Sequence, residues 1–287
     1  MAIVYLNGRF LDEKEAALSP LDRGFLFADA IYEVVRYDHG RPYRLSEHMD
    51  RMRDGLDAIR ISATPDFFPS VGERLLAENG LADRDAFVYA QVSRGAGPRY
   101  HAFPPEGTVP TVFAFARVTD PPPSPEGGKA ILVTDERWGR CDIKSVMLLA
   151  NVLAAQKARE AGAVDAILVK DGFALEGTKA NLFQVAKGGL VRTAPNGPRI
   201  LPGVTRAAAI EAARRIGLTV EERAFTVEEM YASQELFLAS TTLWTHSIVS
   251  VEGRPIGSGA PGPVARMIRE ALYAEFRVAA PEPASRG

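Results

Sequence analysis

The sequence predicts an α/β (α+β) fold in two parts, a small N-terminal α+β domain and a larger C-terminal mixed α/β domain. Three observations carry that reading. Strand-like runs rich in aromatic and β-branched residues, AFVYAQVSR and TVFAFARV, stand beside helical runs such as FPSVGERLLAENG and GVTRAAAIEAARRIG. Strands and helices do not alternate strictly, as they would in a doubly wound sheet. The stretch TDPPPSPEGG, from Thr119 to Gly128, can neither join a helix nor sit in a central strand. It therefore divides the chain into a small first domain over 1–118, a linker over 119–128 and a large second domain over 129–287.

In the first part, IVYLNGRFL reads as a hairpin turning at Asn7-Gly8, and AIYEVVRYDHGRPYRL as a second turning near His39-Gly40. Ser46 is expected to cap a helix through SEHMDRMRDGLDAIRI, with Met49, Met52, Leu56 and Ile59 at helical spacing. A further helix stops at Gly80. The second part opens with the strand KAILVTD. A helix follows Lys144, capped by Ser145, buried at its N-terminal end and ended at Gly162. VDAILVK, the turn Asp171-Gly172 and ANLFQVA read as strand, turn and strand. GVTRAAAIEAARRIG closes at Gly217, ELFLAS and SIVSVEGRPI are strands, and PVARMIREALYAEF is the last helix. AAPEPASRG is a short biased tail.

With 287 residues, 46% hydrophobic and 24% charged, the chain has ordinary globular composition. A net charge of −2 argues against a nucleic-acid partner or a membrane surface. The lone Cys141 and four scattered histidines provide no disulfide framework and no metal site. The N-terminal residues lack the order of a signal peptide, and no apolar run is long enough to span a membrane, so a cytoplasmic protein is expected.

Lys144 stands just before the apolar run VMLLANVLAA. Either its ammonium reaches solvent, or a helix terminus and partial burial favour the free amine that condenses with carbonyls. Glu176, in LEGTKANLF, is either a solvated turn acid or a partner for a cationic ring nitrogen. LPGVTR, Leu201–Arg206, offers helix N–H groups and the Thr205 hydroxyl, which suit a phosphate or ordinary capping equally. Ser240, Thr241 and Thr242 form a second hydroxyl cluster. Arg99 and His101, two apart, share a side of an extended segment and fit a solvated edge as well as an anion site. The glycine segments match neither dinucleotide nor Walker patterns.

In order, CDIKS, EGTKANLF, ILPGVTR and FLASTT resemble the fold-type-IV pyridoxal-phosphate enzymes, the group of branched-chain and D-amino-acid aminotransferases and aminodeoxychorismate lyase. The resemblance extends back through RGFLFADAIYEVVR and EHMDRM, across nearly the whole chain. It implies that Lys144 forms the Schiff base with pyridoxal 5'-phosphate and that Glu176 faces the pyridine nitrogen. It places Arg51, Thr205 with the Val204 backbone, Ser240 and Thr241 on the phosphate, and Leu201 against the ring. It further implies that Arg99 and His101, reaching in from a neighbouring subunit of a homodimer, trap the substrate carboxylate with Tyr32. The RxH segment resembles D-amino-acid aminotransferases, and the GTAAE-like loop of branched-chain enzymes is absent. The implied reaction is transamination between a D-amino acid, such as D-alanine, and a 2-oxo acid. The alternatives are a branched-chain L-amino-acid aminotransferase, aminodeoxychorismate lyase, an amine transaminase and a non-catalytic cofactor-binding module. Lys179, Trp244 and His246 depart from the family's usual loops, which leaves side-chain specificity open.

Overall fold

The computed structural model describes residues 2–120, 124 and 126–278. Much of the expected 119–128 linker, at 121–123 and 125, and the tail at 279–287 lie outside the described residues. Contacts divide the chain into two compact units, Met1–Asp120 with Ile143–Leu148, and Pro121–Asp142 with Leu149–Gly287. Ile143–Leu148, expected in the second domain, packs with the first unit instead. Its backbone joins the first unit's sheet, which sequence periodicity does not reveal.

The first unit contains β1 (Ile3–Leu6), β2 (Arg9–Asp12), α1 (Arg23–Phe27), β3 (Ala30–Asp38), β4 (Arg41–Pro42), α2 (Leu45–Ala58), α3 (Phe68–Glu78), β5 (Asp85–Ser93) and β6 (Thr111–Val118). Its six strands form one sheet in the order β2-β1-β6-β5-β3-β4, with every pairing antiparallel. Both hairpins turn where expected: Asn7 and Gly8 have φ of 48° and 87°, and His39 and Gly40 have 49° and 77°. Two successive positive φ values are what a two-residue turn needs to match the strand twist. Along β3, Ile31, Glu33 and Val35 point inward under the helices while Tyr32 and Val34 face the other way. Ser46 does not cap α2. The N-cap is Arg44, left-handed at φ 47° with no side-chain cap bond, and Ser46 already lies inside the helix.

The second unit contains β7 (Gly128–Thr134), α4 (Leu149–Glu160), β8 (Asp165–Lys170), β9 (Phe173–Gly177), β10 (Asn181–Val185), β11 (Val191–Thr193), α5 (Val204–Arg215), β12 (Val220–Glu222), β13 (Phe225–Thr226), α6 (Val227–Tyr231), β14 (Glu235–Ser240), β15 (Trp244–Val251), β16 (Arg254–Pro255) and α7 (Pro263–Val278). Its sheet mixes parallel pairs, β15–β7, β7–β8 and β11–β12, with antiparallel ones. The path β10-β14-β15-β7-β8-β9 closes on itself, because β9 also pairs with β10 through Glu176 and Asn181.

Ala130, Ile167, Ala174, Leu182, Leu236, Leu238 and Ile248 draw one buried cluster from all six of these strands. The alternate residues face outward. Ala166 and Leu168 pack on Ala154 and Ala158 of α4, and Phe183 stacks on Phe237 at 4.9 Å. The strand Phe173–Gly177, which lies between the two expected around Asp171-Gly172, is buried along most of its length and lacks a polar alternation to announce it.

The helix after Lys144 starts at Leu149, three residues later than the Ser145 cap would place it. Ser145 instead bridges Ile31, Tyr32 N–H donates to the Lys144 carbonyl at 3.0 Å, and Val146 N–H donates to Ala30 at 3.1 Å. Nor is the N-terminal end of the helix buried: Leu149 is 71%, Val152 58% and Leu153 54% exposed. Apolar composition here marks an open face, and only Ala154 and Ala158 reach the core.

Candidate functional site

In the first unit, the extended run through Lys144 lies alongside β3, and Lys144 is half-buried. Its Nζ lies 4.1 Å from the centroid of the Tyr32 ring. The helix-terminus argument therefore does not apply to this lysine. What holds it is an aromatic face, and among the described residues no carboxylate pairs with it. Tyr32 in turn stacks on Tyr89 at 5.5 Å, and Tyr89 on Phe115 at 5.0 Å, so the platform beneath Nζ is rigid.

Behind that platform, Glu33 is fully buried and takes Arg51 Nε at 2.7 Å, Arg51 Nη2 at 2.9 Å and His48 Nδ1 at 2.8 Å. Since an ionised carboxylate can only accept, His48 carries its hydrogen on Nδ1. Burial by itself raises Glu33, but the Arg51 charge and the His48 bond outweigh it and hold the group well below the usual carboxylate range. Burial keeps His48 below its ordinary value, so it is neutral. Arg51, expected on a phosphate, is thus anchored on one side by Glu33.

A carboxyl group whose folded value is depressed stabilises the fold fully above its unfolded value of about 4.5, and loses that contribution as pH falls from there through the lower folded value. Glu33→Gln is expected to flatten the acid limb of a stability profile. It should also lower stability near neutrality by about 3–5 kcal/mol, because Arg51 is left without its charge partner. Urea unfolding near pH 7 and at about pH 4 checks both; an unchanged acid limb would assign the depression elsewhere.

In the second unit, Glu176 sits where β9 meets β10. It is buried and ringed by donors: Arg137 Nη1, Asn181 Nδ2 at 3.1 Å and the Leu201 N–H at 3.2 Å. Arg137 is shared with Asp135, through Nε at 2.9 Å and Nη2 at 2.7 Å. Burial pushes Glu176 up to about 7, against the pull of Arg137 and the Leu201 amide. The solvated-turn alternative is excluded by this burial. A carboxyl poised near neutrality settles as the anion once a further cation is set against it.

Asn181 also donates to the Leu201 carbonyl at 2.9 Å, tying the LPG turn to the barrel seam. Gly203 is required there, since any side chain would run into Asn181 Oδ1. Gly203 forms the N-cap of α5 and supplies no side-chain cap bond, which leaves the first N–H groups beside Val204 and Thr205 for another acceptor. Thr205 is buried and Leu201 half-buried. The Ser240 hydroxyl is buried with no hydrogen-bond partner among the described residues, and Thr241 follows it. A buried acid, an uncapped helix start and an unpartnered hydroxyl fit a phosphorylated nitrogen heterocycle.

No motif in the sequence marks Glu33 and His48 in the first unit, or Asp135, Arg137 and Asn181 in the second. The buried-face alternation of β3 could have exposed Glu33, an acid in a core register. Arg137 carries no such signal, since its two acids are 2 and 39 positions away. Trp244 and His246 prove to be buried, with Trp244 against Tyr273 and Phe276 of α7, while Lys179 is exposed. Arg99 and His101 are exposed on the loop after β5, both against Phe27, at 5.2 and 5.8 Å.

Comparisons with known proteins agree with the fold and extend it. A family model described as amino-transferase class IV matches residues 30–251. The chain is 39% identical over 275 residues to a D-alanine aminotransferase of Bacillus licheniformis, covering 94% of this chain and 95% of that one. It is 34% identical to a D-alanine aminotransferase of Staphylococcus haemolyticus, with 96% and 99% covered. Among solved structures, a branched-chain aminotransferase of the archaeon Thermoproteus uzoniensis is similar at TM-score 0.83 and 26% identity, with 95% and 93% covered. That of Escherichia coli superposes at TM-score 0.86 and 24% identity, with 99% and 97% covered, a likeness of fold. With a family match over more than 200 consecutive residues and relatives aligned almost end to end, the chain belongs to the class IV aminotransferases.

Proposed function

We infer that the protein is a pyridoxal-phosphate-dependent transaminase that moves an amino group between a D-amino acid, D-alanine for example, and a 2-oxo acid such as 2-oxoglutarate or pyruvate. The observation that carries this reading is the near full-length likeness to D-alanine aminotransferases at 39% identity, joined to a retained lysine and a buried acid. A non-catalytic relative would be expected to have lost the lysine or the acid, and this chain keeps both.

When bound, the cofactor supplies an aldehyde that captures the substrate amine and a ring that takes up electrons from the substrate α-carbon. Lys144 Nζ supplies the nucleophile, then collects the proton from the α-carbon and redelivers it. The Tyr32 face beneath Nζ limits the directions from which the amine works. Glu176 holds a proton at the ring nitrogen, which its setting near neutrality and its fixed orientation both favour. Thr205, the Val204 N–H, Ser240, Thr241 and Arg51 bind the phosphate, and Leu201 packs on the ring.

Tyr32, with Arg99 and His101 of a second copy, binds the substrate carboxylate. An arginine fork suits that group and leaves the amine free to react. The homodimer this requires is supported by exposed apolar side chains around the same loop, including Phe25 at 76% and Val109 at 78%. The assay is direct. Purified holoprotein with D-alanine and 2-oxoglutarate should form pyruvate, while L-leucine should not react; consumption of the L-amino acid alone overturns the D-specific reading.

A further inference from the structure

The loop carrying Arg99 and His101 is fastened from below by a buried charge cluster that none of the roles above uses. Arg23, 3% exposed at the start of α1, sends Nε to Asp29 at 2.9 Å, Nη1 to the Tyr100 carbonyl at 2.9 Å and Nη2 to the His101 carbonyl at 3.4 Å. Its own N–H donates to Gly95, and Gly97 N–H donates to Leu21. Arg94 grips Asp29 from the other side, Nε at 2.8 Å and Nη2 at 2.9 Å, and also reaches the Ile59 and Arg60 carbonyls. The Arg94 guanidinium lies 3.8 Å from the centre of the Phe103 ring, with Arg60 at 4.9 Å.

Two guanidiniums share the Asp29 carboxylate, and each keeps further N–H groups in excess of it. That excess is directed at backbone carbonyls, and in Arg23 those belong to Tyr100 and His101. Burying such a charge cluster does little to stabilise a fold, and apolar side chains would serve stability as well. A planar fork is what can bridge an acid and two carbonyls at once, and a lysine lacks that geometry.

We propose that Arg23, oriented by Asp29 and Arg94, is a positioning residue that fixes the Tyr100–His101 backbone and so sets the reach of Arg99 and His101 toward the substrate α-carboxylate. The proposal rests on the assignment of Arg99 and His101 to that carboxylate. Because both the amino donor and the oxo-acid acceptor carry the group, both KM values depend on Arg23, while chemistry at the α-carbon does not.

The test compares Arg23→Lys, Asp29→Asn and Arg99→Ala holoenzymes in KM and kcat for D-alanine and 2-oxoglutarate, visible spectrum and sedimentation mass. Arg23→Lys should raise both KM values about tenfold with kcat within about threefold, and with spectrum and mass unchanged. Should Arg23→Lys fail to fold, Asp29→Asn decides by the same criteria, since it keeps the side-chain shape and removes the charge that orients Arg23. Raised KM in Arg99→Ala with no change in the deciding variant overturns the positioning role and leaves the carboxylate assignment standing. Unchanged KM in Arg99→Ala removes that assignment, and the positioning role with it. A fall in kcat alone, or loss of the dimer mass, reduces Arg23 to a structural part and overturns the proposal.

Discussion

Replacing Lys144 with alanine is expected to lower turnover by about 10⁴-fold or more, because in the proposed mechanism one atom, Nζ, is both nucleophile and proton carrier. The fold should survive. Lys144 is half-buried, and its contribution to the sheet is made by backbone groups, the carbonyl bonded to Tyr32 and the adjoining bridge of Ser145 to Ile31. Purified Lys144→Ala should show unchanged circular dichroism, yet yield no cofactor adduct on borohydride reduction. Lys144→Arg separates charge from nucleophilicity. It keeps a cation that can lie over the Tyr32 ring, but the guanidinium stays protonated and cannot condense. It should be as inactive as Lys144→Ala. Retention of more than about a tenth of the activity in either variant would remove Lys144 from the chemistry.

The second large effect is expected at Arg137. It is the cation between Asp135 and Glu176, and all three side chains are less than a tenth exposed. Arg137→Ala leaves two buried acids facing each other without compensation, which costs about 3–5 kcal/mol. The pH dependence has a definite sign. Asp135 is held low in the native protein, by hydrogen bonds and charge from Arg137 that outweigh its burial. Without Arg137 its value rises, so the variant binds protons in the native state that the wild type does not. Its deficit should be greatest above neutrality and shrink as pH falls toward the carboxylate range. Urea unfolding across that range checks it; a loss below about 1 kcal/mol at neutral pH would show that Glu176 is held by Asn181 and Leu201 alone. Activity should fall as well, since Glu176 would lose its orientation even where the protein still folds.

Much of this was legible in the residues themselves. Hairpins at Asn7-Gly8 and His39-Gly40 are local events, dictated by which residues tolerate positive φ, and they appear where the dipeptides stand. The helices Phe68–Glu78 and Val204–Arg215 follow from apolar spacing that any neighbouring sheet would satisfy. Where the reading failed, long-range pairing had overridden local pattern. The stretch after Lys144 has helical composition, but its first residues hydrogen-bond to β3, more than a hundred positions earlier, and the helix waits until Leu149. Strand Phe173–Gly177 is buried, so it shows none of the alternation that marks a half-exposed strand.

The same division runs through the candidate site. Sequence alone determined the chemical types and their order: a lysine before an apolar run, an acid before a small-residue turn, a glycine-led helix start and an RxH pair. These are covalent facts, preserved in any conformation. What surrounds each of them is set by contacts between distant parts of the chain. The Tyr32 ring beneath Nζ, the Arg137 that restrains Glu176, and the Arg23–Asp29–Arg94 cluster under the Arg99 loop all join residues far apart in the chain. Protonation and reach depend on burial and on the nearest charge, and distance along a sequence says little about distance in space.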